Sequence, residues 1–260
     1  MPILSNPFDS PEAVRLRESQ PAGEASAMYL VVRREKVGTL SELAVALAGA
    51  VLDCAQRLGE DPRYVGDFAA WYADSFRKIT LRANERDWPK LLAGELALSL
   101  GGMSEPIVAV LPPRRKSAAS PLVRSLQTYA LTTAELPIGE LSPDLSRPAL
   151  VLCANPEISM SAGKLLAQIG HGALMAARAP EELGAGQDWR DALAAWRASG
   201  EQVIYTTASA TGWRSTIELE SCVAVVDSGL TEIAPGSQTV LAIRPSAGEA
   251  LRTALARLAS

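Results

Sequence analysis

Residues 148–178 read PALVLCANPEISMSAGKLLAQIGHGALMAAR. The apolar run 149–153 is continuous rather than alternating with polar residues. A strand with one wet face alternates, so an unbroken run marks a strand covered on both faces. The Ala/Leu-rich stretch 160–178 that follows reads as a helix. A buried strand feeding a helix is the building unit of an α/β layer.

The same plan appears earlier in the chain. Residues 28–34 (MYLVVRR) form a β-rich apolar run, and residues 40–57 form an Ala/Leu-rich helical stretch. Each of these pairs precedes a second helix ending in Ala-Ala-Trp, at Trp71 and at Trp196. A short strand follows (76–82 and 201–207), and then a helix opening with Trp88 or Trp213. The tryptophans set the register, because both pairs are 17 residues apart. Glu95 and Glu220 each stand seven residues after the second tryptophan. The runs IVAVL (107–111) and VAVV (223–226) read as buried strands, with last strands expected at 125–131 and 239–244. Residues 246–258 read as a C-terminal helix.

Agreement in both element order and spacing points to an internal repeat. The expected fold is therefore α/β, with two tandem units, each a mixed, roughly four-stranded β-sheet with helices on both faces. The two units are expected to pack as an intrachain pseudo-dimer, imitating a two-fold homodimer. The expected division is a polar extension over 1–27, a first unit over 28–135, a Pro/Ser-rich linker over 136–147 and a second unit over 148–260. The five tryptophans, Trp71, Trp88, Trp189, Trp196 and Trp213, recur at matching helix positions and read as core.

Composition narrows the function classes. The chain has 260 residues, 48% of them hydrophobic and 21% charged, a globular balance that excludes wholesale disorder. Twenty-five Lys/Arg against 29 Asp/Glu give a net charge of -4, so any nucleic-acid contact needs a local basic patch. Residues 1–147 hold 17 basic and 18 acidic residues, and residues 148–260 hold 8 and 11. Cys54, Cys153 and Cys222 form no C-x-x-C pair or disulfide framework, which suits a reducing cytoplasm. The single histidine, His171, excludes a zinc site built on two imidazoles from one chain. The start Met-Pro-Ile-Leu is not expected to be a signal peptide, and the longest apolar run, 43–52, is too short to span a bilayer.

On a helix, Lys164, Gln168, His171 and Met175 follow i, i+4, i+7, i+11 spacing and line one face, leaving Leu165, Leu166, Ile169 and Leu174 to be buried. A polar stripe is ordinarily a solvated face, yet this one carries none of the Glu, Asp or Arg used elsewhere until Arg178. Gly163 and Lys164 near the helix start are placed to meet a phosphate. The second motif is Val225-Val226-Asp227-Ser228-Gly229-Leu230-Thr231-Glu232-Ile233-Ala234-Pro235-Gly236-Ser237. Asp227 ends a buried strand, where open α/β sheets place their sites, and it also suits an Asx-turn that serves the backbone.

These motifs resemble those of the type 2 peptidyl-tRNA hydrolase family over about residues 148–245. The helix matches at Met160, Gly163, Lys164, Ala167, Gln168 and His171. The loop matches at Asp227, Gly229, Thr231, Ile233, Pro235, Gly236, Ser237, Thr239, Val240 and Leu241. The departures from the family pattern are Asn155, Glu157, Ser161, Leu166, Gly172, Leu230 and Glu232. The resemblance implies hydrolysis of the ester of peptidyl-tRNA, with tRNA as partner, no membrane, and no metal or organic cofactor. Its implied catalytic residues are Lys164, His171, Asp227 and Thr231, with Gly163, Gln168 and Ser237 binding substrate.

The first unit is a degenerate copy under this reading. An offset of 122 sets Glu42, Ala46 and Gly49 against Lys164, Gln168 and His171. In the later loop an offset of 115 sets Pro112 and Lys116 against Asp227 and Thr231. Arg33, Arg114, Arg115 and Lys116 are then the expected substrate-binding cations of the first unit. Together with Arg34 they also suit a non-catalytic tRNA- or RNA-binding module. A fold relative with another substrate is a third reading, and further homo-dimerisation is left open.

Overall fold

The computed structural model describes residues 25–36, 38–73, 76–94, 105–229 and 231–260. The expected extension over 1–27 falls outside them apart from its last residues, and so does Glu95. Strands β1 (Ser26–Arg33), β2 (Arg77–Ala83), β3 (Val108–Arg115) and β4 (Gln127–Thr128) form one sheet in the order β3-β1-β2-β4. Strands β5 (Ala149–Ala154), β6 (Gln202–Thr207), β7 (Cys222–Val226) and β8 (Gln238–Ser246) form the other in the order β6-β5-β8-β7. The first strand of each sheet pairs in parallel with one neighbour and antiparallel with the other. The fold is thus α/β, with two mixed four-stranded sheets in tandem.

Helices cover both faces of each sheet. In the first unit these are α1 (Leu40–Leu58), α2 (Val65–Ala73), α3 (Trp88–Ala93) and α4 (Pro121–Ser125). In the second they are α5 (Ala162–Ala177), α6 (Gln187–Ala198), α7 (Ala210–Ile217) and α8 (Gly248–Ala259). Met28, Leu30 and Val32 of β1 face a central core, whereas Ala27, Tyr29 and Val31 pack outward with Trp88 and Leu91. In β5, Leu150 and Leu152 face the same central core, and Ala149, Val151 and Cys153 pack outward with Trp213 and Leu251. The unbroken apolar runs follow from this, because both sides of each strand are dry. The central core is continuous across the two units, with α1 packed against α5. All five tryptophans are buried. Each large apolar side chain buried in this way contributes about 1.5–3 kcal/mol.

The units also agree in local detail. Trp71 Nε1 donates to the Arg77 carbonyl and Trp196 Nε1 to the Gln202 carbonyl, both at 2.7 Å. Phe76 and Glu201, 125 positions apart, share a left-handed backbone with φ of 53° and 54°. Such a conformation is costly for a side chain larger than glycine, so its recurrence at matched positions reflects a shared chain path. Ser209 caps α7 by accepting the Gly212 N–H, and Asn84 at the matching position before α3 accepts the Asp87 N–H in the preceding turn. Thr39 and Ser161 cap α1 and α5 through those of Glu42 and Lys164, both at 3.2 Å.

Strand pairing corrects one part of the expected alignment. β3 pairs with β1 as β8 pairs with β5, with an irregularity at Ala27/Tyr29 in one and Ala149/Val151 in the other. The registers Val31↔Ala109 and Cys153↔Leu241 fix the offset at 132. The run 107–111 is therefore the counterpart of β8, not of β7. Two short apolar runs look alike in composition, and which neighbour each pairs with is a property of the sheet. The strand expected at 125–131 shrinks to Gln127–Thr128, a short edge on β2. Arg114 and Arg115 consequently end the counterpart of β8 and Lys116 follows it, so Pro112 and Lys116 are not the equivalents of Asp227 and Thr231. The offset of 132 carries 227–236 onto 95–104, which lie outside the described residues.

Candidate active site

Helix α5 is squeezed between the two units. A methyl group at Gly170 would lie 3.3 Å from both Lys78 and Val51 of the first unit. One at Gly172 would lie 3.2 Å from Val240 and 3.3 Å from Leu152 of the second sheet. Small residues on opposite sides of the helix let it approach both partners. Every residue of α5 is buried except Lys164 and His171. The two partly exposed residues both belong to the polar stripe. Lys164, Gln168, His171 and Met175 line a cleft of about 760 Å³, bounded by β2 and residues 128–130 on one side and by the loop after β7 on the other.

Asp227 is the hub of the cleft. Its Oδ2 accepts from Lys164 Nζ and from Gln168 Nε2. Its Oδ1 accepts from the Gly229 N–H at 2.8 Å, and its own N–H donates to the Ser237 carbonyl at 2.8 Å. The aspartate serves the turn with one oxygen and the cleft with the other. Gly229 is required here: its φ is 74°, and a Cβ would lie 2.7 Å from the Pro235 ring. The carboxylate side chain is 4% exposed and that of Lys164 15%, so the pair is largely desolvated and its geometry is held tightly.

His171 is fixed from the other unit. Its Nε2 lies 2.7 Å from the Phe76 carbonyl, an acceptor, so Nε2 carries the proton. Burial, with Lys78 and Lys164 nearby, holds the imidazole well below its ordinary range, partly opposed by the Phe76 bond. The neutral ring then has an unprotonated Nδ1, 3.2 Å from Gln168 Oε1. The orientation of that amide follows from Asp227, which accepts from its nitrogen. Two acceptors thus sit side by side in the cleft, ready to receive protons from water or a hydroxyl.

The remaining expected residues are placed as follows. Thr231 lines the cleft and is exposed. Gly163 also lines it, but its role there is close approach, since a Cβ would stand 2.0 Å from the Tyr129 carbonyl oxygen. The Gly163 carbonyl accepts from Thr80 Oγ1 at 2.8 Å. The helix start is occupied by protein, because the Ala162 N–H donates to the Leu131 carbonyl and the Lys164 N–H to Ser161 Oγ. Ser237 holds the backbone of Asp227 and is not among the cleft-lining residues.

Arg33, Arg114, Arg115 and Lys116 do not line the cleft either. Arg33 is clamped by Glu85 at 2.6 Å and Glu105 at 2.9 Å, an internal ion pair rather than a free cation. Arg114 lies over the Tyr64 ring, 5.5 Å from its centroid. Among the described residues no three His, Cys, Asp or Glu side chains converge as a metal-ligand set. No described helix is long and apolar enough to cross a membrane.

Residues 149–259 match the family model of the peptidyl-tRNA hydrolase PTH2. The matched stretch runs from β5 through α8 and contains Lys164, Gln168, His171, Asp227 and Thr231. The departures from the family pattern have structural uses in this chain. Ser161 caps α5, and Glu232 Oε1 accepts the Ser161 N–H at 2.8 Å. Asn155 Nδ2 donates to the Gln238 carbonyl at 2.8 Å, and its Oδ1 accepts the Glu157 N–H at 2.9 Å. Leu230 lies outside the described residues. The opposite wall of the cleft, with Phe76, Lys78, Thr80 and Tyr129, comes from outside the matched stretch and was not expected to contribute. Lys78 lies at the strand position where the second unit has Val203, and the polar residues around it on β2, Arg77, Thr80 and Arg82, gave no reason to single it out.

Proposed function

We propose that this protein hydrolyses the ester joining a peptide to the terminal ribose of tRNA. The observation that carries this reading is the Lys164–Asp227 pair in a cleft of the unit that matches the family. Water attacks the ester carbonyl, and negative charge develops on its oxygen. Lys164, aimed by Asp227, donates to that oxygen, and Thr231, on the loop that carries Asp227, is the second donor. His171 Nδ1 and the Asp227 carboxylate accept from the attacking water, and the proton passes to the leaving ribose oxygen. A preorganised donor to such an oxyanion is worth about 10²–10³-fold in rate.

The first unit, within the bounds 28–135, acts in this reading as the inactive half of a pseudo-dimer with the second unit, 148–260, joined by the linker 136–147. Its counterparts of Lys164, Gln168 and His171 are Glu42, Ala46 and Gly49, and Glu42 is engaged in capping its own helix. Three buried cysteines, two with thiols pushed up to about 12 by burial, fit a protein that works in the reducing cytoplasm. The test is incubation of the purified chain with N-acetyl-aminoacyl-tRNA, resolving free from acylated tRNA on an acid gel. Accumulation of free tRNA above the uncatalysed rate is expected, and its absence refutes the assignment.

A further inference from the structure

Lys78 is the one cleft lysine with no carboxylate partner among the described residues. Lys164, across the cleft, is neutralised by Asp227. The Lys78 ammonium instead lies over aromatic faces, 3.5 Å from the Phe76 ring centroid and 4.7 Å from that of Trp71. It donates to the Phe76 carbonyl at 3.4 Å, a long contact. Its stem packs against α5 at Gly170. Burial pushes its pKa well below the ordinary lysine range, as expected of a cation without a counter-ion. The aromatic contacts offset only part of that cost. The matching position in the second unit is Val203, so the β-strand fold itself does not require a cation there.

An unneutralised cation at the wall of a cleft is costly until an anion arrives, and the incoming anion then recovers the cost as affinity. We propose that Lys78, supplied by the first unit, is a substrate-binding residue that receives an anionic group of the ligand in this cleft. Resting on the function proposed above, that group is a phosphate of the 3′-terminal nucleotides of tRNA. The first unit then completes the site that the second unit's Lys164 and Asp227 begin.

The experiment uses the full chain and its Lys78→Met and Lys78→Arg variants. It measures kcat and KM on peptidyl-tRNA, and binding of fluorescently labelled deacylated tRNA by anisotropy. Lys78→Met is expected to raise KM and the Kd for deacylated tRNA about tenfold, with kcat within about twofold. It is also expected to raise the thermal midpoint, because a buried unpaired charge is removed. Lys78→Arg is expected to retain binding. Unchanged KM and Kd in Lys78→Met, a loss confined to kcat, or equal losses in the Met and Arg variants would each overturn the proposal. If the wild type binds deacylated tRNA through Lys78 yet releases no peptide, the anion site stands and the hydrolase reading falls. If the wild type hydrolyses and Lys78→Met is unaltered, the reverse holds.

Discussion

Asp227 accepts from Lys164, Gln168 and the Gly229 backbone. Removing Lys164 therefore does two things: it deletes the oxyanion donor and leaves a desolvated carboxylate with one fewer partner. Lys164→Ala is expected to lower kcat by at least about 100-fold, and to lower thermal stability as well. Gln168→Leu is expected to weaken the aim of Lys164 and reduce kcat while KM stays within about threefold, a split that steady-state kinetics reads directly. His171 has a pH consequence. Its folded-state pKa lies below the unfolded value of about 6.5, so the unfolded chain binds the proton first. The stability its neutral form provides is complete above about pH 6.5 and is lost as pH falls below that value. Denaturant unfolding across that range should show the slope, and His171→Gln should flatten it. At this scale the sequence was informative about Lys164, Gln168, His171 and Met175, because helical spacing alone puts them on one stripe. It was silent about Phe76 and Thr80, whose contacts with α5 span 95 and 83 positions of chain.

Helix α5 positions the site through its small residues. Gly163→Ala would drive a methyl group into the Tyr129 carbonyl, 2.0 Å away, and that oxygen belongs to backbone held on β2 by the Tyr129 N–H bond to Thr80. The expected cost is about 1–3 kcal/mol, measured by chemical denaturation, with a loss of activity as Lys164 shifts. Gly163 and Lys164 were legible as a pair, but the expected purpose, a phosphate at the helix start, is met in the structure by the chain's own Leu131 carbonyl and Ser161. The βα plan and the order of elements were readable from apolar runs and tryptophan spacing. The mispairing of 107–111 with 223–226 arose because the spacing between strands changes from one unit to the other. Offsets of 122, 125 and 132 are needed in succession; the first two are readable in the sequence, and only the hydrogen-bonded registers reveal the third.

The two units share one core, so the molecule is read more accurately as a single body than as a catalytic domain with an appendage. Leu47 of α1 is fully buried, near Gly170 of α5. Leu47→Ala is expected to destabilise the whole chain by about 2–5 kcal/mol in one cooperative transition, because the central core it belongs to is built from both units. The division of basic residues seen in the sequence now has a different meaning. Arg33 is internal, Arg114 lies on Tyr64, and the first-unit cations that line the cleft are Arg77 and Lys78, residues that no motif marks. Neutralising Arg114, Arg115 and Lys116 together should leave kcat unchanged. The central claim is that the second unit's cleft performs ester hydrolysis through Lys164 and Asp227. It is tested most directly by comparing kcat/KM on peptidyl-tRNA for the wild-type chain and Lys164→Ala. Measurable turnover that falls by at least about 100-fold in the variant is the predicted result. No turnover by the wild type, or equal turnover by both, would contradict it.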